Sequence, residues 1–134
     1  MRVVGQRIQK QVRQPVARIL VVESNEALRE TMVLMIQAHG YRVTEAGGPE
    51  EALVLAERVQ PGLVLVNAAL AQDRDYWLLR GLRQISTDIP VFVLAEALSD
   101  AEGKAAVRRG AAGYTQTGKL PDLLTRVRNG KGKS

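Results

Sequence analysis

The chain has 134 residues, a net charge of +5, 25% charged residues and no cysteine. That length suits one domain with its own core; the missing cysteines exclude disulfides and thiolate zinc sites, and no apolar run is long enough to span a membrane. The N-terminus also lacks the apolar stretch of a secretory signal, so the expectation is a soluble, cytoplasmic protein.

In chain order, residues 1–17 hold glutamines around isolated aliphatics and read as a flexible basic arm. Ile19-Leu20-Val21-Val22 reads as a buried strand ending on Glu23-Ser24, with Ser24 as the cap of the helix that follows. Leu28, Met32, Met35 and Ile36 recur at helical spacing up to the stop at Gly40, with His39 covering the helix end. Tyr41 to Ala46 alternates as a half-exposed strand would, and Gly47-Gly48-Pro49 opens a second helix with Pro49 in its first turn. Ala52, Leu53, Leu55, Ala56 and Val59 form that helix's buried side.

Gln60-Pro61-Gly62 then breaks the chain before Leu63-Val64-Leu65-Val66-Asn67, an apolar run that reads as a strand covered on both faces and ending on one polar side chain. A loop over residues 68–75 leads to a helix carrying Trp77, Leu78, Leu82 and Ile85, with Trp77 expected in the core. Pro90 to Ala95 is a fourth strand, and Ser99-Asp100-Ala101-Glu102 has the spacing of a capping box before a helix that Gly110 ends. Tyr114 to Thr117 is a short fifth strand, and Pro121 to Arg128 a last helix. Five alternating strands and helices predict an α/β fold: a doubly wound, five-stranded parallel sheet with helices on both faces, of the flavodoxin type, over residues 18–128.

The surplus charge lies at the ends. Residues 1–18 carry five of the 19 Lys and Arg and no acid, and four more lie from residue 126 onward, so the middle holds ten bases against all 14 acids. Residues 129–134 would serve as a basic tail or as a linker to an output domain. Such ends could meet nucleic acid, but no aromatic side chain is interleaved with the charges, which favours solvated ends.

RILVVES, GYRVTEA with PEEAL, QPGLVLVN, DIPVFVLAEA and RRGAAGY follow one another in the order and spacing of the receiver domains of bacterial two-component response regulators, which the chain resembles over roughly 110 residues. The resemblance implies a receiver-type fold and a site where an aspartate at the end of the third strand accepts a phosphoryl group with the help of magnesium. It also implies two acidic residues after the first strand, a Thr or Ser after the fourth, a Lys after the fifth and an aromatic on the fifth.

On this chain the acceptor position is Asn67, the acidic pair is Glu23-Ser24, the hydroxyl position is Ala95 and the lysine position is Thr117, followed by Gly118 where the family usually has proline. Lys119 is basic but two residues along, and only Tyr114 keeps its type. An amide cannot form the acyl phosphate, and one carboxylate makes a poor magnesium site, so the expectation is no catalytic residue, no cofactor, and magnesium binding that is weak or absent. Asp73 and Asp75 lie well past the strand end and are ordinary loop aspartates.

The expected function is that of a pseudo-receiver working by protein–protein contact. By the same resemblance its face would gather Arg108, Arg109, Tyr114, Lys119 and Arg126 and meet an acidic partner or a second copy. The alternatives are a nucleic-acid-associated regulator using the basic ends, or the receiver of a longer response regulator.

Overall fold

Two strands free of any charged residue between their first and last positions set the centre of the molecule: Ile19 to Val22 and Leu63 to Val66 are all fully buried. The structure, a computed structural model, describes residues 16–97 and 99–129. Within these, β1 (Arg18–Val22), β2 (Arg42–Ala46), β3 (Leu63–Asn67), β4 (Val91–Ala95) and β5 (Gly113–Gln116) form one parallel sheet in the order β2-β1-β3-β4-β5. Helices α1 (Glu26–Ala38), α2 (Pro49–Val59), α3 (Ala68–Ile85), α4 (Asp100–Arg108) and α5 (Leu120–Arg128) connect and follow the strands.

Period-two alternation along the strands sorts the core into two layers. Leu20, Val22, Val64, Val66 and Val93 pack with Ala52 and Ala56 of α2, Leu78 and Leu82 of α3 and Ala106 of α4. Ile19, Val21, Leu63, Leu65 and Phe92 pack with Met32 and Ile36 of α1 and with Leu120, Leu123, Leu124 and Val127 of α5. Tyr41, just before β2, joins the second layer and donates its hydroxyl to the Leu124 carbonyl at 3.0 Å, tying the edge of the sheet to α5. This is the expected doubly wound architecture.

Several local readings change. Asn25, not Ser24, caps α1: its side chain accepts the Leu28 N–H, while Ser24 is exposed. Val16 and Ala17, assigned to the arm, belong to the domain, since Val16 packs on the second layer and the Ala17 carbonyl accepts the Arg42 N–H. The remaining arm and the tail, residues 1–15 and 130–134, lie outside the described residues. In α2 only Ala52 and Ala56 of the expected face are fully buried, because small side chains let the helix approach closely; Leu53 and Leu55 are half-buried against the layer. The capping box at Ser99 and Glu102 is formed in both directions, and His39 sits at the end of α1 with Nδ1 3.0 Å from the Met35 carbonyl.

The segment after β3 departs furthest from expectation. Residues 68–72 are helical rather than a loop, and the irregularity narrows to residues 73–76, where α3 breaks before continuing to Ile85. Arg74, Asp75 and Tyr76 take consecutive left-handed conformations with φ of 51°, 54° and 62°. For side-chain-bearing residues this costs roughly 1–2 kcal/mol each. The break also moves Trp77 out of both apolar layers: it is half-buried, with the Arg74 guanidinium 4.5 Å from its ring centre.

Burial pushes the Tyr41 phenol above its ordinary pKa, partly opposed by Arg128. A raised folded-state value means that Tyr41 contributes fully below its unfolded value and that stability is lost as the pH climbs above about 10 toward the folded value. Tyr41→Phe is expected to cost about 1 kcal/mol at neutral pH and to flatten the alkaline fall, as read from denaturant unfolding across that range.

Candidate functional site

The carboxyl edge of the sheet receives one chain end from each strand, and the register decides which side chains meet there. Val22 pairs with Val66, so Glu23 and Asn67 leave adjacent strands side by side. Asn67 lies opposite Leu94, which puts Ala95 one step beyond; Ala95 lies opposite Gln116, which puts Thr117 beyond in turn. Four of the five sequence-derived pocket positions therefore lie along one edge, and the fifth, exposed Ser24, follows Glu23.

Glu23 is the buried charged residue among those described, at 4% exposure. Such a carboxylate is tolerated when hydrogen bonds replace its water. Its Oε1 accepts from Asn67 Nδ2 at 3.1 Å and its Oε2 from the Asn25 N–H at 2.9 Å, while its backbone carbonyl accepts from Arg29 at 2.8 Å. Arg29 in turn pairs with Glu45 at 3.1 Å. Asn67 is engaged at both ends, because its side-chain oxygen accepts the Ala69 N–H at 2.8 Å and so caps α3. Among the described residues no buried side-chain nitrogen or oxygen lacks a partner.

This arrangement does not fit a magnesium ion, which takes several oxygen ligands in near-octahedral order. One carboxylate has both oxygens hydrogen-bonded, the neighbouring amide presents its N–H₂ to that carboxylate, and the amide oxygen is spent on a helix end. Among the described residues no group of three or more His, Asp or Glu could hold a metal. Ala95, half-buried at the end of β4, has no hydroxyl; Thr117 opens a 3-10 turn that runs to Lys119, and Lys119 is exposed.

The basic face is less uniform than the sequence suggests. Arg108, Arg109, Lys119 and Arg126 are all exposed, but Arg109 turns toward α3, meeting Asp75 at 2.7 Å and lying 5.0 Å from the centre of the Tyr76 ring. Tyr114, half-buried on β5, packs on the first apolar layer with its ring against Gly103 of α4. A Cβ at residue 103 would overlap that ring. Glycine inside a helix costs about 1 kcal/mol relative to alanine, so Gly103 is accounted for by this close approach. Sequence reasoning missed Asn25, Arg29 and Gly103: the first was legible as a capping residue next to Glu26, while the other two act through contacts that no local pattern encodes.

The family model for the response regulator receiver domain matches residues 19–128. The response regulator MprA of Mycobacterium leprae is 30% identical over 112 residues, covering 83% of this chain and 49% of that protein. The KDP operon transcriptional regulatory protein KdpE of Escherichia coli is 30% identical over 96 residues, covering 72% of this chain and 42% of that one. The chain thus spans about half the length of the curated relatives it matches. Among solved structures, the Vibrio cholerae chemotaxis protein CheY4 superposes with a TM-score of 0.74 at 20% identity, covering 84% of this chain and 98% of that one. A Burkholderia pseudomallei response regulator carrying a phosphorylated aspartic acid superposes with a TM-score of 0.73 at 26% identity, covering 83% and 65%.

Asn67→Asp would set a second carboxylate against buried Glu23 in place of a donor. The expected loss at neutral pH is about 1–3 kcal/mol. The repelled pair binds a proton more readily when folded than when unfolded, so the loss should shrink as the pH falls toward 4; denaturant midpoints at both pH values measure it.

Proposed function

Because the chain belongs to the response regulator receiver domain family, we propose that it is a pseudo-receiver: a receiver fold that works without phosphorylation, as a protein–protein interaction module in signal transduction or transcriptional regulation. Receiver domains are signalling modules that act on protein partners, and that much follows from the family. The observation that carries the finer reading is the hydrogen bond from Asn67 to Glu23, which uses the acceptor-position side chain to neutralise the neighbouring acid. An amide in that position is neither a carboxylate nucleophile nor a metal ligand free to turn. Ala95 and Thr117 remove the hydroxyl and ammonium that would hold a phosphoryl group.

Interaction then passes to the surface of α4, β5 and α5. Arg108, Lys119 and Arg126 give that face its positive charge, Tyr114 its aromatic group, and Arg109 belongs to its border with α3. A face of this sign favours an acidic partner or an acidic patch on a second copy. The coverage of about half of each relative also supports a second reading, in which these residues are the receiver of a longer regulator. Residues 129–134 would then be a linker to an output domain. No helix among the described residues is long and apolar enough to cross a membrane.

Incubation with acetyl phosphate and magnesium followed by intact mass is expected to show no phosphoryl gain, either in the natural protein or in Asn67→Asp alone. A hydroxylamine-sensitive gain of one phosphoryl group in the natural protein would overturn the reading. Gly103→Ala should displace the Tyr114 ring and destabilise the domain by about 1–3 kcal/mol, seen as a lower denaturant midpoint, and should weaken any complex that Arg108→Glu also weakens.

A further inference from the structure

The break in α3 is held by an unusual number of arginines. Arg74 reaches Glu50 at the start of α2 at 2.8 Å, Asp73 at 3.1 Å, and the face of Trp77 at 4.5 Å. Arg109, the residue that closes α4, reaches Asp75 at 2.7 Å and lies 5.0 Å from the centre of the Tyr76 ring. Arg80, further along α3, donates to the backbone carbonyls of Arg74 and Asp75 at 3.2 and 3.3 Å. Each left-handed residue is thus gripped at its side chain or its carbonyl, from three different helices.

The grip and the backbone oppose one another. Arg74, Asp75 and Tyr76 carry side chains in a conformation that disfavours them. Tyr76 also packs on the first apolar layer, but the charged contacts that close the turn are open to water: the side chains of Arg74, Glu50, Asp73, Arg109 and Asp75 are 45–70% exposed. Exposed ion pairs weaken as salt shortens the Debye length from about 10 Å at 0.1 M to about 3 Å at 1 M. Backbone strain does not respond to salt. Added salt therefore weakens the contacts and leaves the strain in place.

We infer that residues 73–76 are a strained turn kept closed by an arginine clasp between α2, α3 and α4, and that ionic competition for Arg74 and Arg109 opens it. Opening frees Tyr76 and Trp77, releases the end of α4 from α3, and so loosens one border of the α4–β5–α5 surface. The inference does not depend on whether the domain accepts a phosphoryl group.

Hydrogen exchange followed by mass spectrometry on the intact chain tests it, with Trp77, the single tryptophan, as a fluorescence reporter. Raising sodium chloride from about 0.05 to about 1 M should speed exchange of the amides of residues 73–77 about tenfold and shift Trp77 emission, with β1 and β3 amides unchanged. Arg109→Gln should give the same faster exchange at low salt. Adding Asp75→Gly should restore protection to within about twofold of the natural protein, since glycine accepts positive φ without strain. Salt-independent exchange in the natural protein would overturn the inference. So would a double variant as fast as Arg109→Gln alone, or equal loss of protection in β1 and β3.

Discussion

A carboxylate buried at the edge of a sheet must be hydrogen-bonded, ligated or protonated, and the way Glu23 is satisfied organises much of this domain. One oxygen takes the amide of Asn67 and the other the N–H of Asn25. Those two asparagines are also the caps of α3 and α1. A single acid therefore joins β1 to β3 and fixes the starting points of two helices on opposite faces of the sheet.

That solution depends on the core beneath it. Glu23 and Asn67 meet because β1 and β3 are adjacent, in register and buried on both faces, which is where a parallel sheet places its aliphatic strands. The same apolar layers hold the rest of the edge. Tyr114 rests on α4 through the space Gly103 leaves, and Tyr41 anchors β2 to α5. Around that edge, charged helix ends and half-buried aromatics face water.

Much of the architecture was legible in the residues. Periodicity found the five strands and five α-helices of the described residues, because aliphatic runs with turn-forming residues between them admit few other folds. Asn67, Ala95 and Thr117 were placed by the resemblance to receiver domains, and the structure puts them along one edge. Ser24 was mistaken for the cap since it and Asn25 are both good capping residues, and only the backbone turn after Val22 chooses between them. Trp77 was assigned to the core on its size; the break at residues 73–76 rotates it away. Arg109 was grouped with the other bases of α4, although its partner, Asp75, lies 34 residues away in the chain.

By itself the amino-acid sequence determined the fold and the identity of the side chains at each strand end. These follow from hydrophobic period and residue type, which are local properties; which of those side chains correspond to the site positions of receiver domains came from the resemblance. Only the tertiary structure decided what those side chains do: that the Asn67 amide turns to Glu23, that Gly103 makes room for Tyr114, and that three arginines grip the break in α3. The Asn67–Glu23, Tyr114–Gly103, Arg74–Glu50 and Arg109–Asp75 contacts join different elements and are set by strand register and helix packing, which no local pattern in the sequence encodes; only Arg80 reaches the break from within α3.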